Sequence, residues 1–305
     1  MRVGVSLSST SFEKDPRIGA NALIERAQVA NQVKLDLLSL GDHHLTPVNY
    51  FQNVPMLGRL MAEWNSGPVG CLFLLPLWNP VLVAEQVGTL AALTQSTFVI
   101  QSGVGVGPDT FEAMGANIKT RGISLEESIT EIKAIFELRG VTGNPDLQVN
   151  PIPKQKVEWW IGASTSIKGI QRAATMGDAW YAAPFLNPAK AQELLAHYLQ
   201  ACEENDKEPR PVIRKDVIIL EDGEKALEMG SKIIQRGYRG MKSDAVIVGN
   251  PIQAAEQLRP FKDMGFTDVT CRCMSIPHEE TLESFLLFTL VRDFLNNLFL
   301  GDSFV

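Results

Sequence analysis

Residues 69–101 read VGCLFLLPLWNPVLVAEQVGTLAALTQSTFVIQ, and this stretch decides the fold. Val69–Leu75 is an unbroken apolar run that halts at Pro76, the look of a strand buried on both faces. Pro80 then stands where a first helical turn would begin, and Val81–Leu93 carries apolar residues at helical spacing. Phe98–Gln101 is strand-like again. A helix between two buried strands implies a parallel crossover.

The same change of period recurs in both directions. Val3–Leu7 and Leu35–Leu40 precede the stretch, and Val157–Ile161, Ala179–Ala182, Val212–Leu220 and Thr267–Cys273 follow it, completing eight strands. Ala20–Val33, Leu125–Glu137, Ile167–Met176, Pro188–Glu204, Glu224–Arg236 and Ile252–Met264 read as helices between them. Ser124 with Glu127 three residues on predicts a capping box at the start of Leu125–Glu137. Eight such units in 305 residues predict an α/β protein of the (β/α)8 TIM barrel class, one domain over residues 1–305. The rival is a doubly wound sheet. Its glycine-rich turn is missing, because Ser8-Ser9-Thr10-Ser11 follows the first strand.

Composition narrows the function classes. Apolar residues at 45% and charged residues at 21% exclude disorder for most of the chain. A net charge of -7 argues against a nucleic-acid backbone as partner. Four cysteines are too few for a disulfide scaffold, and Cys271 and Cys273 sit in a strand-like run without a second ligand pair, so no metal is expected. Met1–Leu7 reads as a strand rather than a secretory signal. Arg292, Asp293, Asn296 and Asn297 break the apolar tract Phe285–Leu300 well short of the ~20 residues a bilayer span needs, so it is expected to be a final helix on the barrel exterior. A cytoplasmic chain without membrane contact is the expectation.

In a TIM barrel the active site lies at the C-terminal ends of the strands. After the second strand come Asp42, His43 and His44. Neighbours on an extended segment point opposite ways, so only one of the two histidines faces a pocket, as a ligand, as an acid–base group, or merely packed. After the fifth strand, Gly162-Ala163-Ser164-Thr165-Ser166 offers free backbone N–H groups and hydroxyls at a helix start, with Lys168 one turn on. A phosphate fits there, and so does plain N-capping by a serine. Gly103, Gly105 and Gly107 after the fourth strand would let a flat ligand approach the backbone, or would only make a flexible loop.

These segments together resemble the bacterial luciferase-like flavin monooxygenases, a family that also includes oxidoreductases using a deazaflavin coenzyme. The resemblance runs over nearly the whole chain. It is strongest at Leu35–His44 (LDLLSLGDHH), Leu74–Leu93 (LLPLWNPVLVAEQVGTLAAL), Phe98–Gly115 with Arg121 beyond, and Trp160–Trp180 (WIGASTSIKGIQRAATMGDAW); Val248-Gly249-Asn250-Pro251 also fits. It implies that His43 lies beside the flavin ring and assists proton movements. Ser164 then matches a phosphate-binding serine, with Gly162, Ala163 and Thr165 around it. Cys71-Leu72 matches a non-prolyl cis peptide under the ring, a bond that costs about 3–4 kcal/mol.

The departures also bear on function. Gly103 stands where luciferase has a reactive cysteine, and Val104 where it has a phosphate-binding arginine. Ser96-Thr97 replaces a Gly-Arg pair, and Gly140–Lys156 leaves little room for a substrate-covering loop. These changes argue against light emission. The expected activity is an FMN-dependent monooxygenase that uses reduced FMN, delivered by a separate flavin reductase, and dioxygen on a small organic substrate, with a homodimer as the assembly. The alternatives are a deazaflavin-dependent oxidoreductase on the same barrel, or a flavin-binding protein without turnover.

Overall fold

The computed structural model describes residues 1–296. Its strands are β1 (Arg2–Leu7), β2 (Thr10–Ser11), β3 (Leu38–Leu40), β4 (Asn49–Tyr50), β5 (Val69–Phe73), β6 (Phe98–Ser102), β7 (Val157–Ala163), β8 (Ala179–Ala182), β9 (Pro211–Ile219), β10 (Ile247–Gly249) and β11 (Asp268–Cys273). Eight of them close into a parallel barrel in the order β1-β3-β5-β6-β7-β8-β9-β11, with β11 pairing back to β1. The TIM barrel expected from the sequence is the fold, and its eight strands are the eight runs read there. β10 was not foreseen as a strand; it extends β9 beyond the end of β8, through Ile247↔Val217 to Gly249↔Ile219. β2 and β4 form a small antiparallel pair where β1 and β3 end.

The helices are α1 (Pro16–Gln32), α2 (Asn53–Leu60), α3 (Pro80–Ala92), α4 (Pro108–Ala113), α5 (Arg121–Phe136), α6 (Ile167–Met176), α7 (Pro188–Glu204), α8 (Gly223–Gln235), α9 (Pro251–Asp263) and α10 (His278–Leu295). Three Asn-Pro pairs set helix starts. Asn79, Asn187 and Asn250 each cap a helix through the side-chain oxygen while the following proline occupies the first turn. Only the last of these is a full capping box, with Gln253 returning a bond to the Asn250 N–H.

The capping box expected at Ser124 does not form. α5 starts a turn earlier, entered from a tight turn over Ile118–Thr120 that Asn117 caps by accepting from Lys119 N at 3.0 Å. Ser124 therefore lies inside the helix, and its hydroxyl donates to Thr120 O. The apolar tract Phe285–Leu300 is helical as far as Leu295 within α10; its end, 297–300, falls outside the described residues.

Strand alternation separates two cores. Val3, Val5, Leu38, Leu40, Cys71, Phe73, Ile100, Ile161 and Trp180 face outward and pack with helical residues such as Leu23, Ala27, Val87 and Ile170. Leu37, Val99, Trp160, Ala179, Tyr181 and Val212 form a separate inner cluster in the lumen. Below that cluster the lumen is shut by charge. Arg2 pairs with Asp268 at 2.5 Å, Arg210 with Glu158 at 2.5 Å, and the Trp160 indole N–H donates to Glu158 at 3.1 Å. Above it the inward positions turn polar, and there the barrel opens.

Candidate active site at the mouth of the barrel

The loop after β3 is fixed by one carboxylate. Asp42 Oδ2 accepts from Leu74 N and from Trp78 Nε1, both at 2.8 Å, which ties the loop to the end of β5. His44 turns back into this wall. Its Nε2 lies 3.3 Å from Asp42 Oδ1, off the hydrogen-bond axis, its ring centroid is 5.7 Å from that of Trp78, and its side chain is 11% exposed. The Asp42 carboxylate raises the His44 pKa, outweighing burial. His44 is thus packed into the wall rather than facing the mouth.

His43 points the other way, as extended geometry requires. It is exposed at the rim, edge-on to Tyr50 with centroids 5.9 Å apart. Partial burial pulls its pKa below the ordinary value, His44 adds to this, and Asp42 opposes; Arg239 and Arg272 lower it further. At neutral pH the ring is therefore uncharged and free to take a proton. Burial drives the Tyr50 pKa up to about 12, so that ring stays a neutral wall.

The bend after β7 keeps donors in reserve. Ser166, not Ser164, caps α6, its Oγ accepting from Gly169 N at 3.3 Å. Among the described residues the hydroxyls of Ser164 and Thr165 make no hydrogen bond, Thr165 is exposed, and the first amides of α6 have no acceptor within the helix. Gly162 has a steric reason, because a Cβ there would lie 2.7 Å from Ser102 O. Ala163 faces outward into the core, while its carbonyl accepts from the Trp180 indole at 3.0 Å.

The cis peptide bond expected at Cys71-Leu72 does not form. Among the described residues the one cis peptide bond is Asn150–Pro151, and Cys71–Leu72 is trans. The reason lies in the ladder: β5 stays in register with β6 from Val69↔Phe98 to Phe73↔Ser102, a pairing that a cis bond would interrupt. Cys71 points outward and is wholly buried, with burial raising its thiol pKa well above the ordinary range. Leu72 occupies the inward position, its carbonyl accepting from Asn53 Nδ2 at 2.6 Å. Gly103 N donates to Phe73 O at 3.1 Å, and Val104 is half-buried against the outer core. His43, Leu72, Gly103 and Gly162 thus sit at four consecutive strand ends, β3, β5, β6 and β7.

The opposite half of the mouth is built from residues that the sequence reading passed over. Arg214 and Asp216 on β9, and Arg272 on β11, occupy inward positions, with Asp216 in register beside Arg272. Arg239 reaches the wholly buried Asp216 at 2.8 Å from a backbone held at φ +51°, and the Tyr238 hydroxyl donates to it at 3.1 Å. Burial alone would raise the Asp216 pKa, but Arg214, Arg239 and Arg272 together bring it below the ordinary carboxylate value. On the wall between the two halves, the Tyr181 hydroxyl and Thr270 Oγ1 are 2.9 Å apart. A groove of about 440 Å³ runs outward beside this half, lined by Ser6, Ser8, Phe12, Ile18, Arg26 and Ile276 among others. Among the described residues no cluster of His, Cys, Asp and Glu is arranged to hold a metal ion, and no helix is long and apolar enough to cross a membrane.

The chain belongs to the luciferase-like monooxygenase family, whose profile matches residues 1–242. An uncharacterized protein of Mycobacterium tuberculosis is 30% identical over 112 residues, a match that takes in 35% of this chain and only 38% of that protein. Among solved structures, the monooxygenase RslO1 from Streptomyces bottropensis superposes with a TM-score of 0.84 at 16% identity, over 98% of this chain and 100% of that one. An F420-dependent secondary alcohol dehydrogenase, solved with an F420-acetone adduct, gives 0.77 at 15% identity over 96% and 99%. The oxygenating constituent of 3,6-diketocamphane monooxygenase from Pseudomonas putida, solved with FMN, gives 0.76 at 14% identity over 95% and 96%. At these identities the structures speak for the fold.

Proposed function

We propose that the chain is an oxidoreductase, an FMN-dependent monooxygenase acting on a small organic substrate, with a separate flavin reductase as partner and a homodimer as the assembly. The observation that carries this reading is the bend before α6. Because Ser166 satisfies the helix cap, Ser164, Thr165 and the first amides of α6 are left as donors for a phosphate. Family membership and the FMN-bound neighbour support the same choice.

Reduced FMN, when bound, supplies the electrons that activate dioxygen. The chain's own residues do the rest. Gly162, Ala163, Ser164 and Thr165 would hold the phosphate, and Leu72 and Gly103, with the backbone of Cys71 and Val104, would line the side of the mouth that takes the ring. His43 stands at the reacting edge as general acid or base, and Tyr50 beside it limits water access.

The test is a titration of the purified protein with FMN and, separately, with the deazaflavin coenzyme, followed by dioxygen uptake with reduced FMN. Micromolar FMN binding and uptake above the uncoupled flavin background are expected. Preferential binding of the deazaflavin would move the chain to hydride transfer, and FMN binding without uptake would leave it a non-catalytic flavoprotein.

A further inference from the structure

We propose that Arg214 and Arg272, with Arg239 at the rim, form a receptor for the anionic head group of the substrate: a carboxylate, sulfonate or phosphonate. The proposal rests on the mouth being the reaction site, as in the functional reading above, and adds the chemical class of what enters.

Charge is the first argument. Three guanidinium groups converge on one carboxylate, Asp216, and its Oδ2 is already shared by Arg239 and Tyr238. With Asp42 across the mouth counted as the second carboxylate, the three arginines still leave one positive charge over. A surplus of that kind in a desolvated site attracts an anion strongly.

Hydrogen bonding is the second. The Arg214 side chain is 13% exposed and makes no hydrogen bond among the described residues. Its Nε is buried without a partner, and the 3.4 Å approach to Asp216 Oδ1 does not meet hydrogen-bond geometry. Arg272 donates one bond, to Ser8 Oγ at 3.0 Å. A guanidinium carries five donors in a fork that matches two acceptor oxygens, so both side chains keep the geometry an oxyanion needs. Across the lumen the Gln101 amide is also buried with its Nε2 unpartnered, a further donor facing the same space.

Placement is the third. The arginines occupy β9 and β11, opposite the β5–β6 side assigned to the flavin ring, so a head group held there directs the attached carbon skeleton at the ring. Ser8, which receives Arg272, also lines the groove of about 440 Å³ beside this half, so the space next to the arginines is open to an entering head group. The shared chemistry could also serve the cofactor's own phosphate, and the experiment separates the two.

The test uses the full chain and isothermal titration with sodium octanoate, octanesulfonate, and the uncharged octanamide and 1-octanol, in the presence and absence of FMN. The anions are expected to bind and the neutral analogues to bind about tenfold or more weakly. Arg214→Gln and Arg272→Gln should each lose about tenfold to a hundredfold of anion affinity, the range for a charge-assisted hydrogen bond, while FMN affinity stays within about twofold. Asp216→Asn should act in the opposite direction and tighten anion binding, which keeps the proposal testable should Arg214→Gln fail to fold. Equal binding of octanoate and octanamide would overturn the proposal, as would loss of FMN affinity in the arginine variants, which would assign the cluster to the cofactor. Absence of FMN binding in the unaltered protein counts against the functional reading instead, since the anion titration without FMN stands by itself.

Discussion

Adjacent in sequence, His43 and His44 face opposite sides of one loop: His44 lies 3.3 Å from Asp42 inside the wall, and His43 meets the Tyr50 ring at 5.9 Å on the rim. Their chemistry diverges accordingly. Asp42 raises one pKa, and burial lowers the other. Replacing each separately therefore distinguishes catalysis from support.

His43→Ala is expected to cut turnover by about 10²-fold or more, the usual contribution of a positioned acid–base group, and to leave FMN affinity and thermal stability nearly unchanged. Steady-state rates beside a flavin titration check this. Unaltered turnover would remove His43 from the mechanism.

For His44 the expected effect is on stability and depends on pH. Its folded pKa is raised, so the stability it contributes is fully present below the unfolded value near 6.5 and is lost as pH rises through the folded one. His44→Ala should accordingly lower the unfolding midpoint more at pH 5.5 than at pH 8.5. A difference independent of pH would mean that the Asp42 contact is unimportant to the fold.

Within the bend before α6, neighbouring serines should separate cleanly. Ser166→Ala removes the cap and should cost about 1 kcal/mol of stability with little loss of flavin affinity. Ser164→Ala with Thr165→Ala should do the reverse, weakening FMN binding while the unfolding midpoint holds. Denaturant melts and flavin fluorescence quenching read the two effects independently.

Lys215 lies on the outer face of β9, where its ammonium group donates to Leu186 O at 2.8 Å and Pro184 O at 3.2 Å. Burial lowers its pKa to about 7, with Asp216 and Asp244 opposing. The unfolded chain then holds more protons than the folded one between about pH 7 and 10, so this residue makes stability rise with pH across that window. Lys215→Met should flatten the rise, measured as unfolding free energy at pH 7, 8 and 9. An unchanged slope would mean that the lysine titrates normally.

The barrel was legible because its signals are local. The run through Phe73, the helix opened by Asn79-Pro80, and the same pair at Asn187-Pro188 and Asn250-Pro251 each fix an element without help from distant residues. Half of the mouth followed, since His43 and Gly162–Thr165 come directly after strands. The cationic half was hidden by its own setting. Arg214-Lys215-Asp216 interrupts the β-branched strand β9, and Arg272 sits between Cys271 and Cys273, so the apolar run drew the reading and the charges did not. Period-2 alternation alone would have put Arg214 and Asp216 on one face and Lys215 on the other. That Arg239, 23 residues beyond Asp216, returns to the same carboxylate is tertiary and leaves no local trace. The cis bond expected at Cys71-Leu72 came from resemblance, and the unbroken pairing of β5 with β6 overrules it.

The ionic plug of Arg2, Asp268, Arg210 and Glu158 beneath Trp160 turns the barrel into a cup. Traffic is confined to one doorway. Whatever reaches the lumen therefore enters and leaves past the strand ends that carry His43, the bend before α6 and the arginines.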